Sequence, residues 1–183
     1  MLHFPKGFRV PKAYRHPHFL LLPTTPSQAV VEFVAILRER DQLHQLFRPD
    51  DVWPSANFSL SQHEADLEWQ HAEFLAKRSF AYGLWSPDRE PRFWGGVYLY
   101  PSVLPEVQVE LFFWKVAEAP LMDSELEAEL RAWLGKVWRW SEPRLPGRDG
   151  PWAEGPGGTY PWRGAISMQD APAWASFFLL LFR

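Results

Sequence analysis

The chain has 183 residues, a formal charge of −3, 46% hydrophobic and 22% charged side chains, and no cysteine. That length supports one globular domain with a core of its own. The mild charge, with no basic block, argues against a nucleic-acid footprint, and the missing thiol excludes disulfides, thiolate nucleophiles and cysteine-bound metals. Aromatic residues reach 16%, with 11 Trp beside 18 Pro, which predicts a dense core and a surface suited to a homodimer, a ligand pocket being the other reading.

Residues 1–16 mix Pro, Gly and basic side chains without periodicity, and read as an arm lying over the surface. They lack the continuous apolar stretch of a secretory signal, so the cytoplasm is the expected compartment. "HFLLLPTT" (18–25) predicts a first strand. Thr25, Pro26 and Gln28 then fit an N-cap, a first-turn proline and a capping-box glutamine. The helix that follows is expected to bury Ala29, Val30, Phe33, Val34 and Leu37, and to run toward Phe47 with a break near Asp41.

"RPDDVWPSANF" has loop composition. Ser61 and Glu64 fit the capping box of a second helix reaching Lys77, with Leu67, His71, Phe74 and Leu75 on one face. From Ser79 the period becomes strand-like. "SFAYGLW", "RFWGGVYLY" and "EVQVELFFWKV" are joined by the short turns "SPDREP" and "PSVLPE", which predicts adjacent antiparallel strands. A third helix is expected with Asp123 as N-cap and Leu126, Leu130, Trp133, Leu134 and Val137 buried. "SEPRLPGRDGPW" and "AEGPGGTYPWRG" predict extended or looping chain. The tail 170–183 fits either a helix or a buried strand, with composition favouring helix. Its apolar run at 177–182 is far shorter than the ~18 to 20 residues a bilayer span needs. No membrane contact is expected, and one domain is expected over 1–183, with the arm 1–16 and a C-terminal extension 153–183.

The order strand, helix, helix, three antiparallel strands, helix and extended segment resembles the GCN5-related N-acetyltransferase (GNAT) superfamily. The likeness is carried by "SFAYGLWSPD", "RFWGGVYLYPS", "VELFFWKV", "LRAWLGKVWRW" and "RLPGRDGPW", spaced as in a bacterial subgroup of that superfamily. It implies an α/β (α+β) fold: an acyl-CoA N-acyltransferase-like mixed, mostly antiparallel sheet flanked by helices. It also implies acetyl-CoA as cofactor, held in a split between two strands. Its thioester would meet the strand carrying Phe112, Phe113, Trp114, Lys115 and Val116. Its pyrophosphate would rest on backbone amides from Ala117 to the helix start at Asp123 and Ser124, where unpaired N–H groups and the helix dipole favour an anion.

The loop departs from the family pattern, in which a glycine lets the backbone approach the phosphates. "KVAEAPLMDSE" has no glycine and brings Glu118, Asp123 and Glu125 to the same place. Two readings follow: the acids serve the helix dipole in a chain that has lost the cofactor, or they point outward while main-chain amides still hold it.

Glu110 is the first candidate for chemistry, because the resemblance implies a carboxylate on this strand that deprotonates the acceptor amine. By alternation it shares a face with Gln108, Phe112 and Trp114, and a partly buried carboxylate among aromatics suits a general base. The structural alternative is a carboxylate paired with an Arg such as Arg92, or with a backbone amide. Tyr98 and Tyr100 point to one side of the neighbouring strand and are candidates to protonate the departing thiolate, with Tyr160 a weaker one; the alternative is ordinary strand tyrosines. Arg144 and Arg148 suit a carboxylate or phosphate, or a surface ion pair. The His16/His18 and His63/His71 spacings match no metal signature, so no metal is expected. The expected acceptor is a small-molecule amine; the other reading is a catalytically silent protein of the same fold that binds a ligand or a protein.

Overall fold

The computed structural model describes residues 2, 4, 6–102 and 104–150. Expectations for the extension, the tail and Tyr160 lie outside the described residues. The elements are β1 (Tyr14–His16), β2 (Phe19–Pro23), a 3-10 turn (Pro26–Gln28), α1 (Ala29–Arg38), α2 (Arg40–Leu43) and α3 (Leu60–Leu75). Then come β3 (Phe80–Trp85), β4 (Phe93–Pro101), β5 (Val109–Lys115) and α4 (Asp123–Trp133), continued by a π-turn (Leu134–Trp138). The five strands pair antiparallel in the order β1-β2-β3-β4-β5. One parallel bridge, Glu110 to Arg144, makes the sheet mixed.

The expected strands and helices form, with differences at their starts and phases. The predicted arm ends in β1, and before it Phe4 packs on Phe80 and Trp140 while Phe8 packs on Trp138. Tyr82 Oη donates to the Pro11 carbonyl at 2.8 Å, which ties this segment to the sheet; burial pushes the Tyr82 phenol up. Thr25 and Gln28 form the expected capping box. In α3 the box is Ser59 with Gln62, not Ser61 with Glu64. Ser59 N–H donates to Gln62 Oε1 at 2.9 Å and Gln62 N–H to Ser59 Oγ at 3.3 Å; both motifs are chemically sound, and the earlier one adds two residues of helix. In α4, Met122 takes the cap position, because Glu125 Oε2 accepts its N–H at 3.1 Å, and Asp123 becomes the first helical residue.

The phase of α1 differs more. Ala29, Glu32, Ala35 and Ile36 are buried, whereas Val30 and Val34 are 62% and 51% exposed and Leu37 is also exposed. "AVVEFVAILR" is apolar nearly all round, so its periodicity does not fix which face turns inward. The choice places Glu32 against His63 of α3, Oε2 to Nε2 3.7 Å. Burial pushes the Glu32 carboxyl up to about 8 and the His63 imidazole down to about 4. The distance alone suits an ion pair, but neither His63 nitrogen has a hydrogen-bond partner, so desolvation decides and both groups are neutral near pH 7. Leu75, expected on the buried face of α3, is exposed. At the end of α4 the wide turn inserts one residue, so Trp138 is buried in place of Val137.

The aromatic content builds the core between sheet and α4. Trp133 and Trp138 meet Tyr82 edge-on, at 5.3 and 6.4 Å, and Phe80 lies 4.7 Å from Trp138. Gly95 has φ +151, and a Cβ there would lie 2.0 Å from the Trp114 carbonyl; only glycine lets β4 and β5 close at this point.

Candidate functional site

The site lies along β5 and the loop after it. Tyr100 stands opposite Glu110, Tyr98 opposite Phe112 and Gly96 opposite Trp114. Registered antiparallel partners share a face, so Tyr98 and Tyr100 join Glu110, Phe112 and Trp114, the three that alternation along β5 already sets together. Gly96 makes room for them: a Cβ would stand 2.5 Å from the Tyr98 hydroxyl and 2.8 Å from Trp114 Nε1. In its absence Trp114 Nε1 donates to Tyr98 Oη at 3.1 Å. Phe47 roofs this face, its ring 5.2 Å from Tyr98 and 5.4 Å from Phe112, and Trp53 backs it at 5.6 Å. Sequence reasoning gave neither roof residue a role; an aromatic pair flanking a loop rich in Pro and Asp was the available signal.

Glu110 is completely buried. Ser102 Oγ accepts the Leu104 N–H at 3.0 Å and donates to Glu110 Oε1 at 2.9 Å. Arg144 Nη1 donates to the same oxygen at 3.3 Å, while Oε2 has no hydrogen-bond partner. The arginine is therefore not Arg92, which is 75% exposed beside Asp88. Arg144 reaches Glu110 because its backbone joins β5: its N–H donates to the Val109 carbonyl at 3.1 Å and its carbonyl accepts from Leu111 at 2.8 Å. Its side chain is 14% exposed, so this is a buried pair and not the expected surface one. Breaking such a pair strands a charge, which is what makes it structurally binding.

Beyond Leu111 the outer edge of β5 has no strand neighbour among the described residues. The β5 positions placed at the cofactor split there between the two faces. Phe112 and Trp114 turn to the roofed side, and Phe113 lies under the Arg148 guanidinium, 4.3 Å from its ring centroid. Lys115 Nζ lies 3.5 Å from Asp123 Oδ1, and Arg148 lies 3.5 Å from Asp123 Oδ2 and 3.3 Å from Glu127. Val116 is buried, and Ala117 and Ser124 are exposed.

For acetyl-CoA, the two parts of this site differ in fit. The β5 edge past Leu111, which has no strand neighbour among the described residues, suits the extended arm that carries the thioester. In the loop where the pyrophosphate would rest, three backbone amides already have acceptors within the chain. Ala117 N–H donates to Glu39 Oε1 at 3.2 Å, Ala119 N–H to the Val116 carbonyl at 3.1 Å, and Met122 N–H to Glu125. Glu118 pairs with Arg38; a hydrogen bond from its own backbone amide, with Arg38 beside it, holds its carboxyl below the usual range. Sequence reasoning placed acids here but missed Arg38 and Glu39, which arrive from the end of α1. The exposed valines of α1, with Arg38, Phe93, Val116 and Glu118, line a groove of about 560 Å³ next to the loop. Among the described residues no cluster of His, Asp and Glu could hold a metal ion, and no helix is long and apolar enough to cross a membrane.

No protein-family model and no curated protein matches the sequence. Solved structures do. A ribosomal-protein-S5-alanine acetyltransferase from Vibrio fischeri is 12% identical with a TM-score of 0.51, over 70% of this chain and 69% of that one. An acetyl transferase from Salmonella typhimurium, which modifies the N-terminal serine of ribosomal protein L7/L12, is 10% identical with a TM-score of 0.51 over the same shares, 70% and 69%. RimL, a ribosomal L7/L12 alpha-N-protein acetyltransferase in complex with coenzyme A, is 11% identical with a TM-score of 0.51, over 66% of each chain. The likeness is one of fold.

Proposed function

We propose that this chain, which has the fold of the GCN5-related N-acetyltransferases, transfers an acetyl group from acetyl-CoA to an amine of a small molecule. One observation carries the reading. Glu110 is oriented through Oε1 by Ser102 and Arg144 and keeps Oε2 unpartnered, at the point where β5 parts from its parallel neighbour. A buried acceptor without a partner is costly in a purely structural role; it is accounted for if a substrate N–H or a water meets it. Acetyl-CoA would supply the acyl group as a thioester. Phe113 and Lys115 would offer it the β5 edge, Val116 and Ala117 would start the turn beneath its phosphates, and Asp123 and Ser124 would lie at the helix end. Glu110 Oε2 would take the amine proton, and the roof of Phe47 and Trp53 would exclude water. Tyr98 and Tyr100, stacked at 6.2 Å, would line the acceptor side, and the Tyr98 hydroxyl would be the proton donor closest to Trp114.

The occupied loop amides favour a second reading, a silent protein of this fold that binds a ligand or a protein. Acetylation assays over a panel of amines, with native protein and Glu110→Gln, separate the two. Acetyl transfer predicts turnover by the native chain and a loss of roughly 10²-fold or more in the variant. Turnover that survives Glu110→Gln removes Glu110 as base, and no turnover with any amine favours the silent reading.

A further inference from the structure

The backbone leaves the helical region at Glu39, with φ −98 and ψ 16, and α1 breaks there from α2. This elbow grips the loop after β5 through several polar contacts. Glu39 Oε1 accepts the Ala117 N–H at 3.2 Å. Glu39 Oε2 accepts from Gln42 Nε2, which also donates to the Lys115 carbonyl at 3.1 Å. Arg38 pairs with Glu118. A loop amide donating to an oxyanion is the contact by which such loops take a phosphate. Here the oxyanion belongs to the chain itself and comes from another element. Glycine's absence explains why the backbone cannot draw closer, but it does not explain a carboxylate delivered from 78 residues away in sequence.

Resting on the acyl-CoA reading above, we infer that Glu39 is a resident anion of the phosphate loop. It stands at Ala117 in place of a phosphate oxygen, so the cofactor binds only by displacing it, and the Arg38–Gln42 elbow sets how tightly the cofactor is held. Glu39 is thus a positioning residue for the loop. Its charge opposes the incoming phosphates at close range, where surface screening is incomplete.

The test uses the full chain. Acetyl-CoA affinity is measured by calorimetry, and backbone exchange at Ala117 by NMR, for native protein, Glu39→Ala, Glu39→Gln and the control Glu106→Ala. Glu106 is exposed in the turn at the opposite end of β5. Glu39→Ala should bind acetyl-CoA about tenfold more tightly and lose exchange protection at Ala117. Glu39→Gln, which keeps an acceptor but not the charge, should retain much of that protection and bind with intermediate affinity, while Glu106→Ala should match the native chain. Unchanged affinity in Glu39→Ala with a deprotected Ala117 overturns the inference and leaves the acyl-CoA reading standing. Full protection at Ala117 in Glu39→Ala overturns the contact itself. No binding by native chain or any variant at millimolar cofactor overturns the acyl-CoA reading and this inference with it.

Discussion

The two ends of β5 satisfy their charges in opposite ways. At the Glu110 end the carboxylate is buried, fixed by Ser102 and Arg144, and left with one unpartnered oxygen. At the Lys115 end every acid has a basic or amide partner, but Glu118 and Asp123 are themselves more than half exposed, so water reaches each pair from the acid's side even though Lys115 is largely covered. Low dielectric makes the first arrangement energetically demanding and geometrically strict; solvent makes the second cheap to rearrange. A site can therefore keep a rigid chemical end beside a loop whose charges exchange partners.

The largest effect expected to break this contrast is Arg144→Ala. It leaves Glu110 with Ser102 alone, and denaturant unfolding should show a loss of about 3 to 5 kcal/mol. A loss below about 1 kcal/mol would place the pair with ordinary surface bridges. Gly96→Ala comes next. The added Cβ must displace Tyr98 Oη and Trp114 Nε1, and stability should fall by about 1 to 3 kcal/mol, with a change in tryptophan fluorescence as the indole loses its partner.

The Glu32–His63 pair behind the elbow gives a pH signature. Raised to about 8, Glu32 keeps its proton in the folded state between its unfolded value near 4.5 and 8, so stability falls as pH rises through that window. His63, lowered to about 4 from 6.5, does the reverse, and stability rises between about 4 and 6.5. The slopes oppose each other up to pH 6.5, and above it Glu32 acts alone, so stability should fall from pH 6.5 to 8 by up to roughly 1.4 kcal/mol per pH unit. Glu32→Gln should flatten that fall, and an unchanged slope would assign it elsewhere. The smallest effect belongs to the loop: Lys115→Ala should change stability by less than about 1 kcal/mol, and the change should shrink in high salt.

Much of the fold was legible. Period-two runs between turn residues located β3, β4 and β5, and alternation placed Glu110 on one face with Gln108, Phe112 and Trp114, while the register that brings Tyr98 and Tyr100 to that face is a property of the folded sheet. The phase of α1 was not legible, because an all-apolar helix leaves orientation to tertiary packing and because Glu32 is buried opposite His63. Arg144 was singled out, but its pairing with Glu110 depends on a single parallel bridge that leaves no periodic trace. The missing glycine of the loop was visible at once. Glu39, which takes the Ala117 amide, was not, since contacts between distant elements depend on a tertiary approach that local patterns do not encode.

The most direct measurement is thermal unfolding of native chain and Glu39→Ala with and without millimolar acetyl-CoA, at low and moderate salt. Binding to the folded state raises the midpoint by mass action. The account predicts a rise in both proteins, larger in Glu39→Ala, with the gap between the two widest at low salt, where the Glu39 charge is least screened; midpoints that stay fixed in both proteins at both salts would contradict it.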